Sequence, residues 1–309
     1  MTDAQLPIGS DLPGIISARP QHQVPRSPTL GPVADARRLI ESFGISHTGH
    51  VRKVNEDHFV TAALHRAVQI RQTNLDDTHV FERLAGPRAY LYAVADGVGG
   101  SSGGRVASAI AVATIVEYLG EVVGAYNGYG ADQLKDFPAH LRTAVQRAHD
   151  HLVETFRLQD HNGPATTLTL VMVVWPRAYI VHVGDSRVYH LRGRGLRRLT
   201  RDQTVGEVLV SQHGMPREQA EQAGLYNMLS SAIGARDMEP AVDFFPLEHG
   251  DTLLLCTDGL TKHVSDSRIE EILGNASDVE TGCRSLIDLA LSEGGSDNVT
   301  AVVARVLMT

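Results

Sequence analysis

One stretch constrains this chain more than any other: residues 90–105, Tyr-Leu-Tyr-Ala-Val-Ala-Asp-Gly-Val-Gly-Gly-Ser-Ser-Gly-Gly-Arg. An apolar run of strand length delivers one carboxylate, Asp96, straight into glycines, and the alanine-rich residues 106–119 beyond it read as a helix. A strand that ends in an acid and a glycine run presents that acid with little bulk around it. Glycine also lets backbone come close to a ligand. By itself the pattern is equally an Asp-Gly turn.

The pattern recurs. Residues 253–257 form a short apolar strand that ends in Asp258-Gly259, and Gly294-Gly295-Ser296 leads into Asp297-Asn298 and a last strand over 299–306. Near the start, Arg52-Lys53-Val54-Asn55-Glu56-Asp57 sets acids at the head of the segment 58–62. Asp57, Asp96, Asp258 and Asp297 thus each stand at a strand terminus. Four converging carboxylates repel one another and need cations among them. All-oxygen ligands without Cys or His clusters suit a hard ion, Mg²⁺ or Mn²⁺. Left apart, the same residues are four surface turns.

Five motifs follow one another: Arg-x-x-Asn-Glu-Asp at 52–57, Ala-Asp-Gly-Val-Gly-Gly at 95–100, Val-Gly-Asp-Ser-Arg at 183–187, Thr-Asp-Gly-Leu at 257–260 and Ser-Asp-Asn-Val-Thr at 296–300. In this order they resemble the metal-dependent Ser/Thr phosphatases of the protein phosphatase 2C (PPM) family, bacterial branch, over about residues 41–307. The resemblance implies an α+β fold, a PP2C-like four-layer α-β-β-α sandwich of two mainly antiparallel sheets flanked by helices. It implies two divalent cations, Mn²⁺ or Mg²⁺, held by Asp57, Asp96, Asp258 and Asp297, with the Gly97 carbonyl as a further ligand and Glu56 acting through water. Arg52 becomes the phosphate-binding arginine, for which a planar, always-charged guanidinium is suited. Asp160 matches the acid that helps hold a third ion, although Pro164-Ala165 replaces the usual pair in the loop after it. Asp185 is assigned to the fold beside the site rather than to the ions. Some family members carry a histidine directly after the central Asp-Gly; here Val98 stands there.

The implied reaction is hydrolysis of phosphoserine and phosphothreonine monoesters in proteins by attack of a metal-bridging hydroxide. The phosphoproteins expected are those of a Ser/Thr kinase. No Cys-x5-Arg loop and no Walker lysine points to another phosphoryl chemistry. The alternative is a catalytically weak phosphatase-like module that works by binding; it predicts gaps among the acids or at Arg52, and there are none. A two-metal nuclease fits poorly, because the chain carries net charge −8 and no basic stripe.

The rest of the chain frames these motifs. Residues 1–38 hold six prolines and few large apolar residues, the composition of a disordered leader, so the folded domain is expected over 39–309. An inserted segment is expected at about 64–88, and a substrate-choosing flap at about 200–237. Residues 133–159 repeat apolar positions every three or four and read as an amphipathic helix with Pro138 in its first turn. His149, Asp150 and His151 point to different sides of such a helix and read as a solvated face. His58 reads as a half-exposed strand histidine. Residues 168–199 read as a meander of strands. Cys256 and Cys283 have neither metal nor disulfide spacing. No apolar run is read as spanning a membrane and no basic signal start is present, so a monomeric cytoplasmic protein with no membrane or nucleic-acid partner is expected.

Overall fold

The central strands are buried along both faces, which requires cover on each side. A computed structural model shows how that cover is supplied; it describes residues 39–65, 87, 89–99, 103–125, 136–156 and 163–308. In chain order the first half runs β1 (Ile40–His47), β2 (His58–Leu64), β3 (Ala89–Ala95), β4 (Gly97–Val98), α1 (Gly103–Ala125), α2 (Phe137–Phe156), β5 (Ala165–Thr166), β6 (Leu168–Val174) and β7 (Arg177–Val183). It continues through β8 (Arg187–Arg192), β9 (Gly195–Arg198), α3 (Val205–His213), α4 (Arg217–Gln222) and a 3-10 turn (Leu225–Asn227). The last part is β10 (Ala241–Pro246), β11 (Thr252–Cys256), α5 (Asp258–Thr261), α6 (Asp266–Asn275), α7 (Val279–Ser292) and β12 (Val299–Val306).

Two five-stranded antiparallel sheets form, in the orders β1-β12-β11-β8-β9 and β10-β7-β6-β3-β2. Alternation along each strand then divides the core. In β3, Tyr90, Tyr92 and Val94 meet Val188, Leu255 and Val302 of the other sheet. The intervening Leu91, Ala93 and Ala95 pack under Ala107, Ile115 and Leu119 of α1 and Leu141, Val145 and Leu152 of α2. On the far side, Leu254, Cys256, Ala301 and Val303 pack under Ile269 and Leu273 of α6 and Cys283 and Leu286 of α7. The expected layers, helix–sheet–sheet–helix, are present, and Pro138 lies in the first turn of α2.

Three expectations need correction. Residues 168–199 do not make one meander: β6 and β7 lie in one sheet and β8 and β9 in the other, so the Gly184-Asp185-Ser186 turn carries the chain between sheets. Strand periodicity shows which side chains alternate and is silent on which sheet a strand joins. His149 is not on a solvated face; it is buried, and its Nδ1 accepts the Gly234 amide at 3.2 Å. Asp150 and His151 are exposed as expected. Finally, residues 103–123 of α1 are long and apolar enough to cross a membrane, contrary to the sequence reading. Here the helix packs on a sheet, with Ala107, Ala111, Ile115 and Leu119 fully buried.

Three other expectations cannot be placed. The leader 1–38, nearly all of the 64–88 insertion and Asp160 lie outside the described residues. Leu64 of β2 pairs with Ala89 of β3, so the insertion joins the ends of two neighbouring antiparallel strands.

Candidate metal centre

The four acids come from four strand ends on both sheets. Asp57 precedes β2, Asp96 follows β3, Asp258 follows β11 as the first residue of α5, and Asp297 precedes β12. Glycine makes two of these ends possible. A Cβ on Gly97 would run into the Gly104 carbonyl, and one on Gly259 into the Asn298 carbonyl. β4 pairs with β5, Gly97 opposite Thr166, and Thr166 exchanges backbone hydrogen bonds with Ile233 at 3.0 and 2.8 Å. The returning end of the 200–237 segment is therefore tied to the Asp96 loop.

Asp57 is the most enclosed of the four, at 4 % exposure. Its Oδ2 accepts the hydroxyls of Thr257 at 2.8 Å and Thr300 at 2.7 Å. Burial nevertheless pushes its carboxyl up to about 7, and the charges of Asp258 and Asp297 add to the rise. Asp96 donates its amide to Thr167 Oγ1 at 2.9 Å, and its carbonyl accepts the Thr167 amide at 2.9 Å. Burial raises its carboxyl well above the usual range, followed by repulsion from Asp57, Asp258, Asp185 and Asp297. Asp185 stands behind; burial and then Asp258 push it up to about 7. In all three, burial does most of the lifting and the neighbouring acids add to it.

Cations from the chain answer part of that repulsion. Arg52 forks Asp297, Nε at 2.8 Å from Oδ1 and Nη2 at 3.0 Å from Oδ2. The Lys262 ammonium lies 2.7 Å from Asp258 Oδ2 and 2.9 Å from Asp297 Oδ2. Burial raises the Asp297 carboxyl, and Lys262 and Arg52 more than offset it, leaving it below its usual value. Asn298 anchors the loop that carries Arg52: its Nδ2 donates to the Thr48 and Val54 carbonyls, each at 2.9 Å, and its Oδ1 accepts the Glu56 amide at 2.8 Å. His58 pairs with Ser108, Nδ1 to Oγ at 2.9 Å.

Among the described residues, no three His, Cys, Asp or Glu side chains are gathered closely enough to hold an ion. The donor chemistry still fits a hard divalent ion. Glu56 Oε1, Asp57 Oδ1 and Asp258 Oδ1 are buried with no hydrogen-bond partner. A buried carboxylate oxygen left unpaired is costly, and a cation is its natural partner. Sequence reasoning placed the acids and missed their supports: Lys262, Asn298 and the hydroxyls of Thr257, Thr300 and Thr167. Lys262 carried a readable signal, standing four residues after Asp258. Thr257 and Thr300 stand inside two of the motifs, but nothing in neighbouring residues shows that both hydroxyls serve Asp57.

An antiparallel two-sheet sandwich with helices on both outer faces and a carboxylate cluster at its strand ends is the frame of a metal-dependent hydrolase. The chain belongs to the protein phosphatase 2C family, whose model matches residues 66–289. It is 34 % identical over 239 residues to the serine/threonine protein phosphatase PstP of Mycobacterium tuberculosis, covering 77 % of this chain and 43 % of that protein. The chain thus spans less than half the length of that relative. It is 33 % identical over 240 residues to the serine/threonine phosphatase stp of Listeria monocytogenes, covering 77 % of this chain and 92 % of that one. The crystal structure of the PstP catalytic domain in complex with two manganese ions superposes with a TM-score of 0.64 at 32 % identity, covering 87 % of this chain and 99 % of that one.

Proposed function

We propose that this chain is a metal-dependent protein serine/threonine phosphatase that hydrolyses phosphoserine and phosphothreonine monoesters. The observation that carries this reading is the trio of buried, unpartnered carboxylate oxygens on Glu56, Asp57 and Asp258, beside an exposed arginine fork. The family and the two manganese ions in the PstP structure support it. Asp57, Asp96, Asp258 and Asp297 hold the ions, with the Gly97 carbonyl beside them and Glu56 acting through water. Two divalent cations, Mn²⁺ or Mg²⁺, supply an acidified water and positive charge for the phosphoryl oxygens.

The chain's own residues do the remaining work. Arg52, half-exposed at the rim with Nε and Nη2 on Asp297, keeps its remaining guanidinium donors for phosphate oxygens. The hydroxyls of Thr257 and Thr300 fix the Asp57 carboxylate in one orientation. Val98 is exposed directly after Asp96-Gly97 and offers no proton to a leaving group. Asp185 acts through the electrostatics of the neighbouring acids, and Asp160 is assigned to a third ion. The substrates are phosphoproteins made by a Ser/Thr kinase, met in the cytoplasm by a monomer whose catalytic domain is 39–309. The 200–237 segment lies beside the site and chooses among them.

The test is hydrolysis of p-nitrophenyl phosphate and of a phosphothreonine peptide with Mn²⁺, with Mg²⁺ and with EDTA, in wild type and Asp258→Asn. Turnover that requires the ion and drops to background in Asp258→Asn is expected. Folded, Mn²⁺-loaded wild type that turns over neither substrate sinks the enzyme reading in favour of a binding module.

A further inference from the structure

The acid cluster contains a cation that belongs to none of the five motifs. Lys262 follows Asp258 by one helical turn, acid first and lysine second, the favourable order for such a pair. Its ammonium serves two carboxylates at once, Asp258 on its own helical turn and Asp297, 35 residues away. A lysine is suited to that place. It is a compact point charge with three donors on a flexible stem, able to leave without moving the backbone. Asp258 divides its two oxygens between fates: Oδ2 is taken by Lys262, and Oδ1 is buried without a partner. The pair is not an ordinary surface ion pair, because Asp258 and Asp297 are 22 % and 16 % exposed and converge on further acids.

We propose that Lys262 is a tethered cation of the metal centre. It bridges Asp258 and Asp297 when no ion is bound and competes with a divalent ion for both carboxylates. The inference rests on the metal-site reading above. Its consequence is a sign. Removing the ammonium leaves the metal-free acids facing one another, which raises the free energy of the empty site. It also removes a positive charge from beside an incoming cation. Both effects tighten metal binding, so Lys262 lowers the affinity of the site while holding its empty form together.

The test is calorimetric titration of Mn²⁺ into chelator-stripped, full-length protein: wild type, Lys262→Met, Lys262→Gln and Asp258→Asn. Mn²⁺ binding is expected to tighten on the order of tenfold in both lysine variants, the scale of one charge-assisted hydrogen bond. In EDTA both should melt below wild type, and the gap should close at saturating Mn²⁺. Lys262→Gln keeps a polar side chain and guards against a Met variant that fails to fold. Unchanged or weaker Mn²⁺ binding in the lysine variants, with Asp258→Asn still losing an ion, overturns the role of Lys262 and leaves the metal centre standing. Wild-type stoichiometry and affinity in Asp258→Asn overturns the metal centre itself.

Discussion

At the scale of single residues, buried polar groups carry the sharpest consequences. Asp57 depends on two hydroxyls whose strands meet only in the folded sheet. Thr257→Val and Thr300→Val should each lower metal-free stability by about 1.5–3 kcal/mol, the worth of a hydrogen bond to a charged group, as read by urea unfolding in EDTA. His182 offers a pH test away from the acids. Its Nδ1 is 2.8 Å from the Thr169 hydroxyl and its Nε2 is 3.0 Å from the Arg201 carbonyl, so a neutral ring satisfies both sides. Burial lowers it from 6.5 to about 4. The folded value lies below the unfolded one, so as pH falls the unfolded chain takes up the proton first. The stability contribution is complete above 6.5 and is lost as pH falls towards 4. About 3 kcal/mol is at stake, and urea unfolding between about pH 7.5 and pH 5 should show a shallower loss in His182→Gln. The acids of the site were legible because each stands at a strand end inside a motif, Asp96 and Asp258 directly before glycine. That Thr257 and Thr300 serve Asp57 was not, because a hydrogen bond between residues 200 or more positions apart leaves no local trace.

At the scale of elements, the segment after β9 is held by a side-chain fork. Arg187 binds Asp202 through Nε at 3.0 Å and Nη2 at 2.7 Å, while Gln203 exchanges two hydrogen bonds with Gly184 at 2.7 and 2.9 Å. Lysine cannot reproduce a planar two-donor grip. Arg187→Lys should therefore speed amide exchange across residues 201–208 and leave β6 and β7 protected, measured by hydrogen-exchange mass spectrometry. The α3 helix is capped by Thr204, whose hydroxyl accepts the Glu207 amide at 3.2 Å. The fate of α1 was not legible in the sequence. An apolar helix has the same composition whether lipid or protein covers it, and only packing against β3 and α2 tells the two apart.

At the scale of the whole molecule, ions bound at four strand ends should act as a clasp. Asp57 and Asp96 border strands of one sheet, and Asp258 and Asp297 border strands of the other. Ligands that bind only the folded state stabilise it by mass action, about 2.7 kcal/mol at a hundredfold excess over Kd. Calorimetric melting in excess Mn²⁺ should exceed that in EDTA by on the order of 5 °C or more, and Asp258→Asn should lose most of the difference. A melting point indifferent to Mn²⁺ would count against ions joining the sheets.

What the sequence determined by itself is local and repetitive: apolar runs of strand length, acids at their ends, an amphipathic α2, and five motifs in one order. Each is written in neighbouring residues, where covalent spacing and backbone freedom are enough to read it. Tertiary structure decided the rest. It sent β8 and β9 to the second sheet, buried His149 under the returning chain at Gly234, and turned α1 into a core helix. It also brought Lys262 and Arg52 together on Asp297. These outcomes depend on which surfaces meet across long stretches of chain. That is settled by burial and charge in the assembled fold, where no single segment holds both partners.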